Sequence, residues 1–184
     1  MAGSLEREIK LRFDSADAAR GAVLALDATL VRARRLQSDI ILDTADGTMA
    51  GARSALRVRL EPDRSFLTFK GPPQPSVMKL REELETRVED GVLLLTILER
   101  LGFRVAFRYE KFREEYEGHG VLFAIDETPV GTYVEIEGSD TGIADASTRL
   151  GRSESDYIVA SYRTLYMQAC EAGGVEPRDM LFPR

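Results

Sequence analysis

The sequence predicts an α+β protein that is mainly β, an antiparallel sheet closed into a barrel with a few peripheral helices. Three observations carry that expectation. Segments of alternating side-chain character recur along the chain, and turn-forming residues separate several of them at hairpin distances. The polar side of the alternation is also almost wholly ionic, which is costly unless that face encloses something to bind.

In chain order, the period-2 segments are 5–13, 36–43, 55–60, 66–70, 79–88, 103–116, 121–125 and 133–137, each read as a strand. Asp46-Gly47, Pro62-Asp63, Gly118-His119-Gly120 and Pro129 with Gly131 are turn signals between them, so the strands are expected to join mainly as antiparallel hairpins. Helical periodicity marks 15–26, with Ser15 as N-cap, then 90–101 and about 155–172, with a short fourth helix at 143–150. Gly71-Pro72-Pro73-Gln74-Pro75 reads as a stiff exposed loop. Residues 1–173 are expected to form one domain and 174–184 a peripheral tail.

Composition narrows the classes. A chain of 184 residues, 43% hydrophobic, can bury one sizeable core. A net charge of −6 argues against an open basic surface that tracks nucleic acid, but leaves room for a local cationic pocket. One cysteine, Cys170, excludes an intramolecular disulfide framework, and with the single His119 it leaves no soft-ligand zinc site. Cys170 reads as a packed side chain and His119, between two glycines, as an exposed turn residue. Met1-Ala2-Gly3-Ser4 runs straight into charged residues, and no apolar run is long enough to span a bilayer. A cytoplasmic, membrane-free protein is the expectation.

The charges themselves point to chemistry. In 5–13, Glu6, Glu8, Lys10 and Arg12 share one face. Arg57 with Arg59, Arg81 with Glu83 and Glu85, Lys111 with Arg113, and Glu135 with Glu137 repeat the pattern; Lys70 lies opposite Leu67 and Phe69, and Asp126 follows an apolar run. An ordinary solvated sheet face, with cross-strand ion pairs worth about 0.2–1 kcal/mol each, explains any one strand more simply. It explains the repetition poorly, because solvated faces mix in Ser, Thr and Gln. Inside a closed sheet, carboxylates suit Mg²⁺ or Mn²⁺ and Lys/Arg suit phosphate oxygens. A polyphosphate needs both.

Taken together, these residues resemble the CYTH proteins, the triphosphate tunnel metalloenzymes. Glu6-Arg7-Glu8-Ile9-Lys10 matches the family's Glu-x-Glu-x-Lys signature. Asp43-Thr44, Arg57-Val58-Arg59, Thr68-Phe69-Lys70-Gly71, 81–85, Lys111-Phe112-Arg113, Asp126 and Glu135-Ile136-Glu137 follow in the family's order, and Ser161-Tyr162 resembles the closing segment of bacterial members. The resemblance implies an eight-stranded antiparallel tunnel in which Lys10, Arg57, Arg59, Lys70, Lys111 and Arg113 hold a triphosphate. It implies that Glu6, Glu8 and Glu137 hold the principal metal, with Asp126 and Glu135 as further metal-site acids. Glu83, Glu85 and Lys70 are carried forward as catalytic candidates, the two acids either serving a second metal or orienting the attacking water. Arg12 and Arg81 read as ion-pair partners within the wall, and Arg163 is a loose match to a basic residue of the family's last helix.

Three functions fit that reading. The first is metal-dependent hydrolysis of tripolyphosphate, thiamine triphosphate or a nucleoside triphosphate. The second is cyclisation of ATP to cyclic AMP and pyrophosphate, as in class IV adenylate cyclases, which additionally needs a seat for adenine and ribose. The third is a non-catalytic polyphosphate or nucleotide sensor, disfavoured by the full set of acids. A capping-type RNA triphosphatase is less attractive because the chain is acidic and shows no RNA-binding extension. The partner is a triphosphate-containing small molecule, and a homodimer remains open.

Overall fold

The computed structural model describes residues 4–184, so the readings that rest on residues 1–3 fall outside it. Eight strands make one mainly antiparallel sheet: β1 (Ser4–Phe13), β2 (Thr29–Thr44), β3 (Ala55–Leu60), β4 (Ser65–Lys70), β5 (Lys79–Val88), β6 (Phe103–Gly118), β7 (Val121–Thr128) and β8 (Gly131–Gly138). Five helices accompany them: α1 (Ala16–Leu24), α2 (Thr48–Gly51), α3 (Gly91–Arg100), α4 (Asp140–Arg149) and α5 (Tyr162–Gly173). No helix among the described residues is long and apolar enough to cross a membrane.

The ladder runs β1-β5-β4-β3-β2-β6-β7-β8 and returns to β1. The strands do not stand evenly round one axis, however, so the expected regular barrel is not what forms. Unequal strands account for this. β2 and β6 are 16 residues each, beside six-residue β3 and β4, and their pairing is broken by register shifts, one of them between Ile41 and Leu42. β1 divides its length, meeting β5 through Ser4 to Glu8 and β8 through Glu8 to Phe13. Beyond β5, the open side of β1 is taken by Ile158, which exchanges two backbone hydrogen bonds with Lys10 (3.0 and 2.9 Å).

The apolar cores lie on the outer side of the sheet. Ile9, Leu11, Phe123, Ile125, Val134 and Ile136 are buried under α1, through Ala19 and Val23, and under α4, through Ile143 and Ala146. Leu98 of α3 covers Ile40, Leu42 and Val58. Each such side chain contributes about 1.5–3 kcal/mol on full burial. By strict alternation, the same strands turn their other side chains inward, which puts the charged positions inside.

Helix starts follow local chemistry. Ser15, Asp90, Ser139 and Ser161 accept hydrogen bonds from the amides of Ala18, Leu93, Gly142 and Thr164 at 3.1, 2.8, 3.1 and 3.1 Å. Two expectations are corrected. The last helix starts at Tyr162 instead of near 155, because Ile158 is needed in extended form beside Lys10. The tail is not peripheral: Met180 is fully buried and exchanges backbone bonds with Arg108 and Glu110 (both 2.9 Å). β2 begins seven residues before the expected 36, since Thr29 to Arg35 gain their order from pairing with β6 and carry no apolar alternation of their own.

Candidate functional site

The inward positions line one cavity of about 640 Å³. Glu6, Glu8 and Lys10 reach it from β1, Arg57 and Arg59 from β3, Lys70 from β4, Glu83 and Glu85 from β5, Lys111 and Arg113 from β6, and Glu135 and Glu137 from β8. Asp126 of β7 lies behind this lining, fully buried, and carries Lys111 and Arg113. The structure therefore gathers the sequence-predicted residues from seven strands into one place.

The cations are held in position by carboxylates. Lys10 Nζ lies 3.0 Å from both Glu8 and Glu135 and is 1% exposed, a burial that an ammonium sustains only when paired. Asp39, also fully buried, accepts from Arg59 Nε at 2.8 Å and stands 3.4 Å from Arg57 Nε. Arg57 also donates to Thr68 Oγ1 at 3.1 Å and to Glu85 at 3.3 Å. Lys70 bridges Glu6 at 2.8 Å and Glu83 at 2.5 Å. Asp126 accepts from Lys111 Nζ (2.8 Å), Arg113 Nε (2.7 Å) and the Tyr162 hydroxyl (2.7 Å), so its oxygens are taken up by this chain. Arg113 also contacts Glu135, and Lys79 contacts Glu8. Among the described residues, Arg57 Nε and Arg81 Nε are buried without a hydrogen-bond acceptor, Arg57 Nε having only its 3.4 Å ion pair with Asp39.

The protonation energetics divide the cavity in two. Burial, reinforced by the Glu8 charge, raises Glu6 to about 7 despite Lys70. Burial of the Glu137 carboxyl, together with Glu8, Glu83 and Glu135, raises it likewise to about 7, although part of that side chain faces solvent. This region is short of positive charge. Around Lys111 the shortage is of negative charge: burial and the neighbouring Arg113 lower its ammonium to about 8 in spite of Asp126. Lys10 is the balanced case, where burial is outweighed by Glu135 and Glu8 and the ammonium is held well above its usual range.

The donor chemistry at Glu6, Glu8 and Glu137 fits a hard divalent cation, since carboxylate oxygens crowded enough to keep a proton near neutrality are relieved by one. Among the described residues, no three His, Cys, Asp or Glu side chains are already gathered as a metal cluster. Lys70 and Lys79 stand on Glu6 and Glu8 instead.

Sequence reasoning missed Asp39 and Lys79, and assigned no role to Tyr109 or Tyr162. Asp39 gave little signal, because its inward neighbours in alternation are Gln37 and Ile41. Lys79 shares the parity of Arg81, Glu83 and Glu85 and was legible in principle. Tyr162 lies with its ring 5.1 Å from Lys10 Nζ and 4.9 Å from Lys111 Nζ, between the two ammonium groups and Asp126. Arg81 lines the cavity and donates to the Lys70 carbonyl at 2.9 Å. Arg12 is exposed and lies over the Tyr133 ring at 5.8 Å, in place of the expected wall ion pair. Arg163 lines the cavity edge above Phe107. His119 is exposed in its turn and Cys170 is buried, as read.

The chain is similar to known proteins. A Methanocaldococcus jannaschii protein named "Putative adenylate cyclase" is 30% identical over 140 residues, covering 76% of this chain and 79% of its own length. The crystal structure of a Vibrio parahaemolyticus protein, also described as a putative adenylate cyclase, superposes with a TM-score of 0.77 at 19% identity, covering 89% of this chain and 98% of the other. A Hippeastrum protein, described as a putative adenylyl cyclase with a dominant triphosphatase activity, has a TM-score of 0.66 at 22% identity, covering 94% and 97% of the two chains. The latter two show a common fold. The CYTH domain model matches residues 4–162. With that match over most of its length, and with the family's charged positions gathered around one cavity, the chain belongs to the CYTH domain family.

Proposed function

We propose that the protein is a divalent-metal-dependent triphosphatase that releases the terminal phosphate of a triphosphate held in a tunnel through the closed sheet. One observation carries the reading. Six cations from four strands, namely Lys10 of β1, Arg57 and Arg59 of β3, Lys70 of β4, and Lys111 and Arg113 of β6, converge in one cavity that acids also line. Buried guanidinium donors there still lack acceptors. A polyphosphate supplies the negative charge missing near Lys111, and a divalent cation supplies the positive charge missing near Glu6 and Glu137.

In this reading the substrate's oxygens take over from the carboxylates, Asp39 among them, as partners of Arg57, Arg59, Lys70, Lys111 and Arg113, while Asp126 keeps Lys111 and Arg113 oriented from behind. Glu6, Glu8 and Glu137 would hold Mg²⁺ or Mn²⁺, which when bound neutralises phosphate charge and polarises the bridging oxygens. Lys79, which contacts Glu8, would pair with the phosphates where a cation takes that carboxylate. Lys70, which bridges Glu6 and Glu83, would offset charge that shifts toward the leaving group. Glu83 and Glu85 orient the attacking water as well as Lys70 and Arg57. Phosphoryl transfer through a loose transition state asks mainly for such positioning and charge stabilisation.

The second reading is an adenylate cyclase, favoured by the name of the 30% identical relative. The two reactions share their phosphate contacts and differ in products. Incubation with tripolyphosphate and with ATP, each with Mg²⁺ or Mn²⁺, separates them. Phosphate released without cyclic AMP supports the triphosphatase; cyclic AMP with pyrophosphate selects the cyclase; no turnover of either substrate with either metal overturns both.

A further inference from the structure

Away from the cavity, α3 is apolar on more than the side it buries. At about 100° per residue, Leu94, Leu95 and Leu98 face the sheet, where they join the core of Ile40, Leu42 and Val58. Leu93, Ile97 and Leu101, four residues apart, then form a straight ridge along one outer flank. They are 55%, 47% and 71% exposed, on a face where a helix that packs on one core ordinarily carries polar side chains.

Beside the ridge runs a groove, lined by Leu60 at the end of β3, Val88 at the end of β5 and Leu94, together with Leu93 and Ile97 of the ridge itself. Gly91 fixes its shape: a Cβ there would meet Leu60 at 2.5 Å and Ser65 Oγ at 2.6 Å, so the start of α3 sits directly on the strand ends. Glu61 also lines the groove, but its carboxylate is taken by Arg32, Arg35 and Arg64. The charges left over are asymmetric. Glu89 and Asp90 are exposed at the start of α3 and line the groove, and Arg100 is exposed at its end, beside the ridge. Glu99 lies about 100° further round, away from the ridge.

We infer that this face of α3 is a homodimer interface, in which the Leu93-Ile97-Leu101 ridge packs into the α3 groove of a second copy of the chain. The occupant follows from charge and symmetry. With two copies of α3 antiparallel about a two-fold axis between Leu93 and Ile97, each ridge of residues four apart enters the other's groove, and Arg100 comes to the acidic start of the other helix. An anionic lipid surface would meet Glu89 and Asp90 and be repelled. A stable interface buries about 800 Å² per partner from roughly 20–30 residues, and ridge and groove supply about half of that, which puts the dimer at the weak end with a Kd in the micromolar range. No groove residue lines the charged cavity, so the inference stands independently of the triphosphate reading.

The test is sedimentation velocity of the full chain from about 1 to 100 μM, a range that brackets a micromolar Kd. The sedimenting mass is expected to rise with concentration from that of the 20.5 kDa chain toward twice that value. Ile97→Glu and Leu101→Glu, both at exposed positions, should stay monomeric throughout with unchanged circular dichroism. Arg100→Glu should raise Kd by about 10-fold or more, because it sets like charges against each other, and adding Glu89→Arg to it should recover most of that loss. A wild-type chain that is still monomeric at the highest concentration overturns the inference, whatever else covers α3. A dimer that both glutamate variants leave intact also overturns it, since its interface lies elsewhere. If the glutamate variants unfold, the charge exchange between Arg100 and Glu89 decides alone: recovery supports the interface and no recovery overturns it.

Discussion

Asp39→Asn tests whether the arginines are poised for an anion. The Asp39 carboxylate is fully buried and shared by Arg59 and Arg57. The amide keeps the shape but removes the charge, leaving the enclosed Arg59 without its carboxylate partner and Arg57 with only Glu85 and Glu83. Breaking a buried pair from one side costs about 3–5 kcal/mol, so urea unfolding at pH 7 should show a loss of that size with unchanged m. Asp39 is held below the ordinary aspartate range, because its arginines outweigh burial. Its contribution is thus complete above the unfolded-state value and is lost only as pH falls through the lowered one; pH 7 reads it in full. Saturating Mg²⁺ and tripolyphosphate should then narrow the gap between variant and wild type by at least about 1 kcal/mol, as phosphate oxygens replace the missing carboxylate. A loss below about 1 kcal/mol without ligand, or a gap that ligand leaves unchanged, would refute the idea that Asp39 holds the place of substrate charge.

Lys111, with its ammonium lowered to about 8, should lose affinity for triphosphate as pH rises from 7 to 9.5, whereas Lys111→Arg should stay flat over that interval. The sign for stability is opposite: from about 8 upward the folded state sheds a proton the unfolded chain keeps, so the ligand-free protein should become more stable; titration and unfolding on one pH series check both. Tyr162→Phe removes one of the donors on Asp126 and should cost about 1.5–3 kcal/mol in urea unfolding, as for a buried hydrogen bond to a charged group. Activity should vanish on thorough chelation and return with Mg²⁺ or Mn²⁺; a rate that survives chelation removes the metal from the reading. Lys10→Ala and Arg59→Ala should each lower kcat/KM for triphosphate by about 10-fold or more at temperatures where both variants remain folded, and unchanged kinetics would take them out of the site.

Much of this was legible in the sequence because two simple periodicities coincide. Alternation in 5–13 and 133–137 places Ile9, Leu11, Val134 and Ile136 on the covered outer side and Glu8, Lys10 and Glu135 inside, and the structure keeps both assignments. What was not legible depends on contacts distant in the chain. Thr29 to Arg35 become strand only by pairing with β6. Ile158 is extended because β1 has an unfilled side, which no local pattern announces. Met180 looks like any tail residue until its backbone meets Arg108. Within the site, Asp39 was hidden because alternation reports which way a side chain points, not which cations it will meet there. The metal-site expectation for Asp126 came from the family resemblance, and the structure shows that carboxylate engaged by Lys111, Arg113 and Tyr162.

The divided first strand bears on how the chain is made. β1 leaves the ribosome before every other element, yet its neighbours are β5, β8 and the segment at Ile158, which emerge far later. The ring of strands cannot shut until β8 has been synthesised. Such distant pairings are slow to find, and the waiting strand carries Glu6, Glu8 and Lys10, whose full charges keep an early, partnerless edge from sticking to other chains. The charges that the folded sheet gathers around its cavity thus also guard the nascent protein.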